Sequence, residues 1–273
     1  MLKHNKIRFY IFFILILLYF LKNKIWHYFY GTLFYKLTGK INDKNWTTMN
    51  YGYYTKNLGE DIEKYSLNFY DHYGNLYLKD KMDVLEISSG RGGGLRYLSN
   101  KWKKTKFLGI DYSDTNVNFS NRNNINNSNL NYIVGDALNL NLNKKYDVIF
   151  NIEASHAYGY DIKFYKSVSN LLKKDGKFIY IDFIDRKKFS QLKSNINRIF
   201  NILEFKDITL NVYKSLLKTS DYKEKLINKN ISYIFRNICN EIYGIKNSYI
   251  FNKFENRYNI YFAFVLSKKN DVY

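Results

Sequence analysis

No proline occurs among the 273 residues, cysteine occurs once, at Cys239, and acidic residues number 24 against 43 lysines and arginines. A lone cysteine excludes an internal disulfide and any metal site assembled from cysteines, which suits a reducing compartment. The missing prolines accompany an excess of Asn, Lys, Ile, Tyr and Phe, the mark of an AT-rich coding sequence rather than of a fold. The shortage of acids leaves a net charge of +19, which attracts nucleic acid or anionic lipid at long range. The lysines are spread along the whole chain instead of forming one stripe. The charge therefore permits an anionic membrane surface and carries little weight for nucleic acid. A chain of this length holds one sizeable α/β domain with additions.

What the chain does have begins with the apolar run FYIFFILILLYFL at residues 9–21, flanked by Lys3, Lys6 and Arg8 before it and Lys22 and Lys24 after it. As a helix this run spans about 20 Å, short of the roughly 30 Å hydrocarbon core. No small-residue cleavage site follows, as a secretory signal would require. Instead IWHYFYGTLFY at 25–35 supplies the Trp and Tyr that favour the headgroup level. Residues 1–40 are expected to form a single uncleaved anchor that spans or lies in the membrane, with the remainder of the chain facing the cytosol. Residues 41–80 are expected to form a helical lid region.

From residue 81 onward, β-branched runs alternate with longer mixed stretches, the pattern of βαβ units and a mainly parallel sheet. Strands are expected at 83–88, 105–110, 130–134, 146–151 and 177–183. The asparagine-rich stretch 116–131 reads as helix and loop between two strands. Two or more helices are expected as an insertion at about 205–246, Thr209 or Asn211 capping the first of them. A closing hairpin of 248–254 with 259–267 would bring an antiparallel last strand. Residues 81–273 thus read as one domain, a Rossmann-like α/β sheet with helices on both faces.

The strand VLEIS runs into SGRGGG and then into a helix start, so that glycine backbone and free N–H groups approach a ligand closely. A dinucleotide fingerprint anchored on Gly90 and Gly92 would need glycine at Leu95, and no Gly-Lys-Ser/Thr follows for a phosphate loop. Three further features fall at strand ends, where open α/β sheets bind ligands. Asp111 and Tyr112 close the second strand, Asp136 and Ala137 the third, and Asn151, Glu153 and His156 the fourth.

In this order the motifs of residues 81–183 resemble class I S-adenosylmethionine (SAM)-dependent methyltransferases. VLEISSGRGGG at 84–94 and NIEASHAY at 151–158 are similar to segments of the mycobacterial phthiotriolone and phenolphthiocerol dimycocerosate methyltransferases, which act on polyketide lipids. Segments 45–53 and 248–262 fall where that group has similar ones. The resemblance implies SAM as cofactor, with Glu86, Gly90 and Gly92 shaping its pocket, Asp111 on the ribose, and Asp136 with Ala137 at adenine. Ser88 stands where most class I enzymes have glycine, a departure the lipid methyltransferases share. The anchor is no part of the family's pattern.

Methyl transfer from a sulfonium is an in-line displacement, accelerated chiefly by holding the reactants aligned. A hydroxyl acceptor also needs a base, for which His156 is the candidate, with Glu153 either orienting it or capping the next turn. No further carboxylate cluster suggests a metal. Trp46, Tyr51, Tyr53 and Tyr54 either roof the site or pack on the sheet. The expected function is methylation of a small hydrophobic acceptor, a lipid, polyketide or isoprenoid, on oxygen rather than carbon. The alternatives are a non-catalytic SAM- or lipid-binding membrane scaffold and a nucleic-acid or protein methyltransferase. Signatures common in adenine-N6 and cytosine methylases require proline, which this chain lacks.

Overall fold

The apolar runs at 84–87, 148–152 and 178–182 become strands buried on both faces, which an interior position in a sheet covered by helices on either side provides. The computed structural model describes residues 46–269. The expected anchor at 1–40 lies outside the described residues. Within them, no helix is long and apolar enough to cross a membrane.

The elements follow as α1 (Ile62–Tyr77), β1 (Asp83–Ile87), α2 (Gly93–Lys101), β2 (Lys106–Asp111), α3 (Asp114–Arg122), β3 (Leu130–Val134), β4 (Tyr146–Ile152), α4 (Ile162–Leu171) and β5 (Leu172–Asp185). Then come α5 (Phe189–Ile199), β6 (Phe200–Asp207), α6 (Thr209–Asn230), α7 (Tyr233–Ile242), α8 (Tyr249–Glu255) and β7 (Asn259–Lys268). The seven strands lie in the order β3-β2-β1-β4-β5-β7-β6. All pairings from β3 to β5 are parallel, and β7 runs antiparallel to both its neighbours.

Alternation along the strands divides the core between the two faces. Val84, Ile179 and Ile181 join one cluster with Tyr70 of α1, Leu95 of α2 and Val212 of α6. Leu85, Phe178 and Tyr180 join the other with Phe164 of α4 and Ile196 of α5. Helices begin where side chains satisfy free N–H groups: Asp61 caps α1, Ser113 caps α3 and Asp161 caps α4.

Four expectations are corrected. Residues 205–207 belong to β6, so the helical insertion starts only at α6. Residues 249–255 form α8 rather than a hairpin strand, because Ser248 caps a helix there by accepting the Phe251 N–H, and β7 pairs instead with β5 and β6. Neither Thr209 nor Asn211 caps α6; the Asp207 carboxylate accepts the Thr209 N–H at 3.0 Å. The strand expected at 177–183 extends back to Leu172, which pairs with Tyr146 across a bulge.

Chain direction across the sheet reverses between β1 and β4, the first three strands being laid to one side and the rest to the other. Such a switch point opens a crevice at the carboxyl ends of the two strands. The glycine-rich turn leaves β1 there, and the Glu153–His156 segment leaves β4 beside it.

Candidate active site

A cavity of about 560 Å³ occupies the crevice. On one side its wall is Ser88, Ser89, Gly90, Asp111 and Tyr112, and on the other Glu153, His156, Tyr158, Phe183 and the α7–α8 segment. Met49, Asn50 and Tyr51 close it from the amino-terminal side.

The first wall is built from backbone. Ser88, Gly90 and Gly92 all take positive φ, at 61°, 56° and 76°. Glycine adopts this conformation freely, whereas for serine it costs about 1 kcal/mol. A side-chain carbon on Gly92 would stand 2.6 Å from the Tyr132 ring, so only glycine fits the start of α2. The turn holds its shape through Asp111. One carboxylate oxygen accepts the Gly90 N–H at 2.8 Å; the other accepts the Ser113 N–H at 2.9 Å and the Asn116 amide at 3.1 Å. Burial pushes the Asp111 pKa up, against those three donors.

Glu86 stands one layer behind the cavity. It accepts a hydrogen bond from the Tyr70 hydroxyl at 2.7 Å, and Tyr70 itself lines the cavity. Its second oxygen is buried with no hydrogen-bond partner, and burial raises its pKa to about 8. Asn151 is fully buried, its amide donating to the Ile87 carbonyl and to the Tyr158 hydroxyl, both at 2.9 Å. It therefore ties β4 to β1 and aims Tyr158. Asp136 accepts the Leu138 N–H at 2.8 Å in a turn, and Ala137 packs in the core. Both sit outside the residues that border the cavity.

This wall suits SAM on its own geometry. The positive-φ turn removes side chains where an adenosyl group would approach, Asp111 offers carboxylate oxygens for a diol, and Tyr112 offers a flat ring. The Ser89 hydroxyl beside them is buried with no hydrogen-bond partner. An orphaned polar group of this kind calls for a ligand or water.

The opposite wall is built from side chains. Asp182, wholly buried on β5, accepts from His156 Nδ1 at 2.8 Å, from the His156 backbone N–H at 3.0 Å and from the Ser155 hydroxyl at 2.6 Å. The bond at Nδ1 leaves Nε2 as the ring nitrogen available to the cavity. Burial alone would lower the His156 pKa, but the charge and hydrogen bond of Asp182, helped by Glu153, hold it above the ordinary value.

Glu153 does not orient His156; Asp182 does. Glu153, at φ 50°, accepts the Tyr51 N–H at 2.6 Å and the Tyr261 hydroxyl. Burial raises its pKa to about 7 against those donors. It thus fastens segment 46–54 over the cavity, a task shared with Glu63, which accepts the Thr47 N–H at 2.9 Å and the Thr48 hydroxyl at 3.0 Å. Of the four aromatics of that segment, Tyr51 alone borders the cavity. Trp46 packs on Tyr243, Tyr53 on Phe69 and Tyr54 on Tyr65.

Sequence reasoning missed Asp182 as well as Met49, Tyr70, Phe183, Tyr243 and Tyr249. Asp182 carried a usable signal, a carboxylate inside the apolar run FIYIDFI at the carboxyl end of a strand. Among the described residues, no cluster of three His, Cys, Asp or Glu is placed to hold a metal ion.

Comparison with known proteins agrees with this layout. Residues 84–176 match the model of a family described as a methyltransferase domain. A fatty-acid O-methyltransferase of Mycolicibacterium smegmatis is 25% identical over 201 residues, covering 70% of this chain and 73% of its own. A phthiotriol/phenolphthiotriol dimycocerosates methyltransferase of Mycobacterium leprae is 24% identical over 229 residues, covering 82% and 84%. Among solved structures, a cyclopropane synthase of Mycobacterium tuberculosis shares the fold at a TM-score of 0.71 and 13% identity, over 86% of this chain and 95% of that one.

Proposed function

Because this chain is a class I, SAM-dependent methyltransferase, we propose that it transfers the methyl group to a hydroxyl oxygen of a hydrophobic, lipid-like acceptor. One observation carries the oxygen assignment: His156, held by a wholly buried Asp182, presents its second ring nitrogen to the side of the cavity that Tyr51, Phe183, Tyr243 and Ile250 also line.

SAM supplies an electrophilic methyl group on a sulfonium. The turn at Ser88–Gly90 and Asp111 would hold it, and Tyr112 would give its adenine a flat face. Tyr51, Phe183, Tyr243 and Ile250 exclude water and bury an apolar acceptor. As the acceptor oxygen takes up the methyl group that SAM would supply, His156 Nε2 receives the hydroxyl proton. Asp182 stabilises the resulting imidazolium, the role a buried carboxylate plays for a histidine base. The products are a methyl ether and S-adenosylhomocysteine.

The relatives named for phthiotriol and for fatty-acid O-methylation support a lipid-like acceptor. A carboxylate acceptor would arrive without a proton and need no base, so the His156–Asp182 pair favours an alcohol. The apolar run at 9–21 supports attachment to a membrane with the domain in the cytosol. Incubation with methyl-labelled SAM and a panel of long-chain alcohols, prenyl alcohols and fatty acids, followed by mass spectrometry, tests the reading. Label in an alcohol fraction is expected. Label only in fatty acids, or in no lipid at all, would overturn it, the second outcome favouring a non-catalytic scaffold.

A further inference from the structure

The cavity opens beside a surface that its own fold leaves unburied. Helix α7 carries the sequence YIFRNICNEI, yet only Cys239 of its ten residues is buried. Helical spacing places Tyr233, Asn237 and Glu241 in one line, with Ile234 alongside. Tyr233 is 58% exposed and Ile234 52%. The line continues into α8, because the Glu241 carboxylate accepts the Tyr249 N–H at 2.8 Å. Tyr249 is 67% exposed and Tyr258 62%, and the Lys253 ammonium lies over both rings, 5.2 and 5.7 Å from their centroids. Glu241, Ile242, Tyr249 and Ile250 of this stripe also border the cavity, so it forms the lip of the mouth.

Four large exposed apolar side chains along one stripe exceed the scattered exposure of an ordinary surface and mark an interaction face. Its chemistry selects the partner. Tyrosines are amphipathic, with an apolar ring and a polar tip, and lysine or arginine stems reach past buried rings to keep their charge in water. Arg236 sits over the Tyr233 ring, 5.9 Å from its centroid, as Lys253 does over its two. Between residues 224 and 258 the chain carries six basic residues against three acidic ones. Lys253 pairs with Asp185 at 3.6 Å and hydrogen-bonds Tyr249 within the stripe. A protein partner would meet this face with apolar pockets and acids; a bilayer meets it with hydrocarbon below and anionic headgroups at the level of the cations.

We infer that the α7–α8 stripe docks on an anionic bilayer and sets the cavity mouth at the headgroup level, so that the acceptor enters from the membrane. The inference rests on the lipid-like acceptor proposed above. It is separate from the run at 9–21: a tether holds the domain near a membrane in any orientation, whereas the stripe fixes which face turns inward.

The test uses the full chain in a Cys239→Ala background with single cysteines at Tyr233→Cys, Tyr249→Cys or Tyr258→Cys, each labelled with an environment-sensitive fluorophore. Ile125→Cys, before β3 and at the opposite end of the sheet from the cavity, is the control. Vesicles of phosphatidylcholine with one third phosphatidylglycerol should blue-shift the three stripe probes and shield them from iodide at least threefold, leaving the probe at 125 unchanged. Pure phosphatidylcholine should give a smaller shift. Equal behaviour of all four probes would show tethering alone and overturn the proposal. So would shielding that grows with protein concentration in the absence of vesicles, which would mark self-association. Failure of methyl transfer to any lipid would defeat the acceptor reading and leave the probe result standing.

Discussion

The two walls of the cavity are held by different kinds of structure. On the cofactor side, nearly every contact comes from one turn and the strand end beside it: Ser88, Ser89, Gly90, Asp111 and Tyr112 span 25 residues, and the bonds fixing them run to backbone N–H groups. On the acceptor side, Tyr51, Glu153, Asp182, Tyr249 and Tyr261 come from across the chain and meet through side chains. A backbone-built wall tolerates little change in shape because its turn runs through left-handed positions, one of which, Gly92, leaves no room for a side chain. A wall of side chains can be refitted to new acceptors without disturbing the fold.

Substitutions break this comparison cleanly. The largest effect is expected from Asp182→Asn, which keeps the shape but no longer stabilises a charged His156. Turnover should fall by about 10² to 10⁴, the usual contribution of general acid–base catalysis, with SAM affinity unchanged. A fall of less than tenfold, measured under saturating SAM, would remove the base from the reaction. The same pair sets the pH profile. His156 must be neutral to accept a proton and its pKa is raised, so kcat/KM should climb with pH through that raised value and level off above it. A profile flat from pH 6 to 9 would contradict this.

On the other wall, Asp111→Ala should weaken SAM binding about 100-fold by calorimetry, some 2.7 kcal/mol, while leaving acceptor binding intact. Gly92→Ala forces a left-handed residue and a clash with Tyr132, so denaturant unfolding should show a loss of about 2 kcal/mol. The smallest effect concerns Glu86. Its pKa is raised on folding to about 8, so its favourable contribution is complete below its unfolded value and is lost as pH rises through 8. Glu86→Gln should therefore flatten stability between pH 6 and 9 by roughly 1 to 2 kcal/mol, and an unaltered pH dependence would place the buried charge elsewhere.

The same contrast governs what the sequence reveals. The glycine turn, Asp111 and the parallel strands are contiguous and period-driven, so their residues and places could be read directly. His156 could be named because it follows a strand end. Asp182 carried its own signal, but its pairing with His156 could not be read, since the two are 26 residues apart and meet only when β4 pairs with β5. Glu153 borders the cavity, but its bond to Tyr261 depends on β7 inserting between β5 and β6, a choice that local pattern does not encode. Residues 249–255 misled for a related reason. Their aromatic, β-favouring run matches a strand, and only the Ser248 cap and packing on α6 make it a helix.

The insertion of β7 also bears on how the protein is made. Ribosomes deliver β6 well before β7, yet in the finished sheet β6 reaches β5 only through β7. Until residues 259–268 emerge, β5 presents an open edge, β6 has no neighbour to pair with, and Glu153 lacks the Tyr261 hydroxyl. The nascent chain can assemble its cofactor turn early, but its acceptor chamber closes with the last strand of the described fold. In that interval the exposed edges must be kept from pairing with other chains.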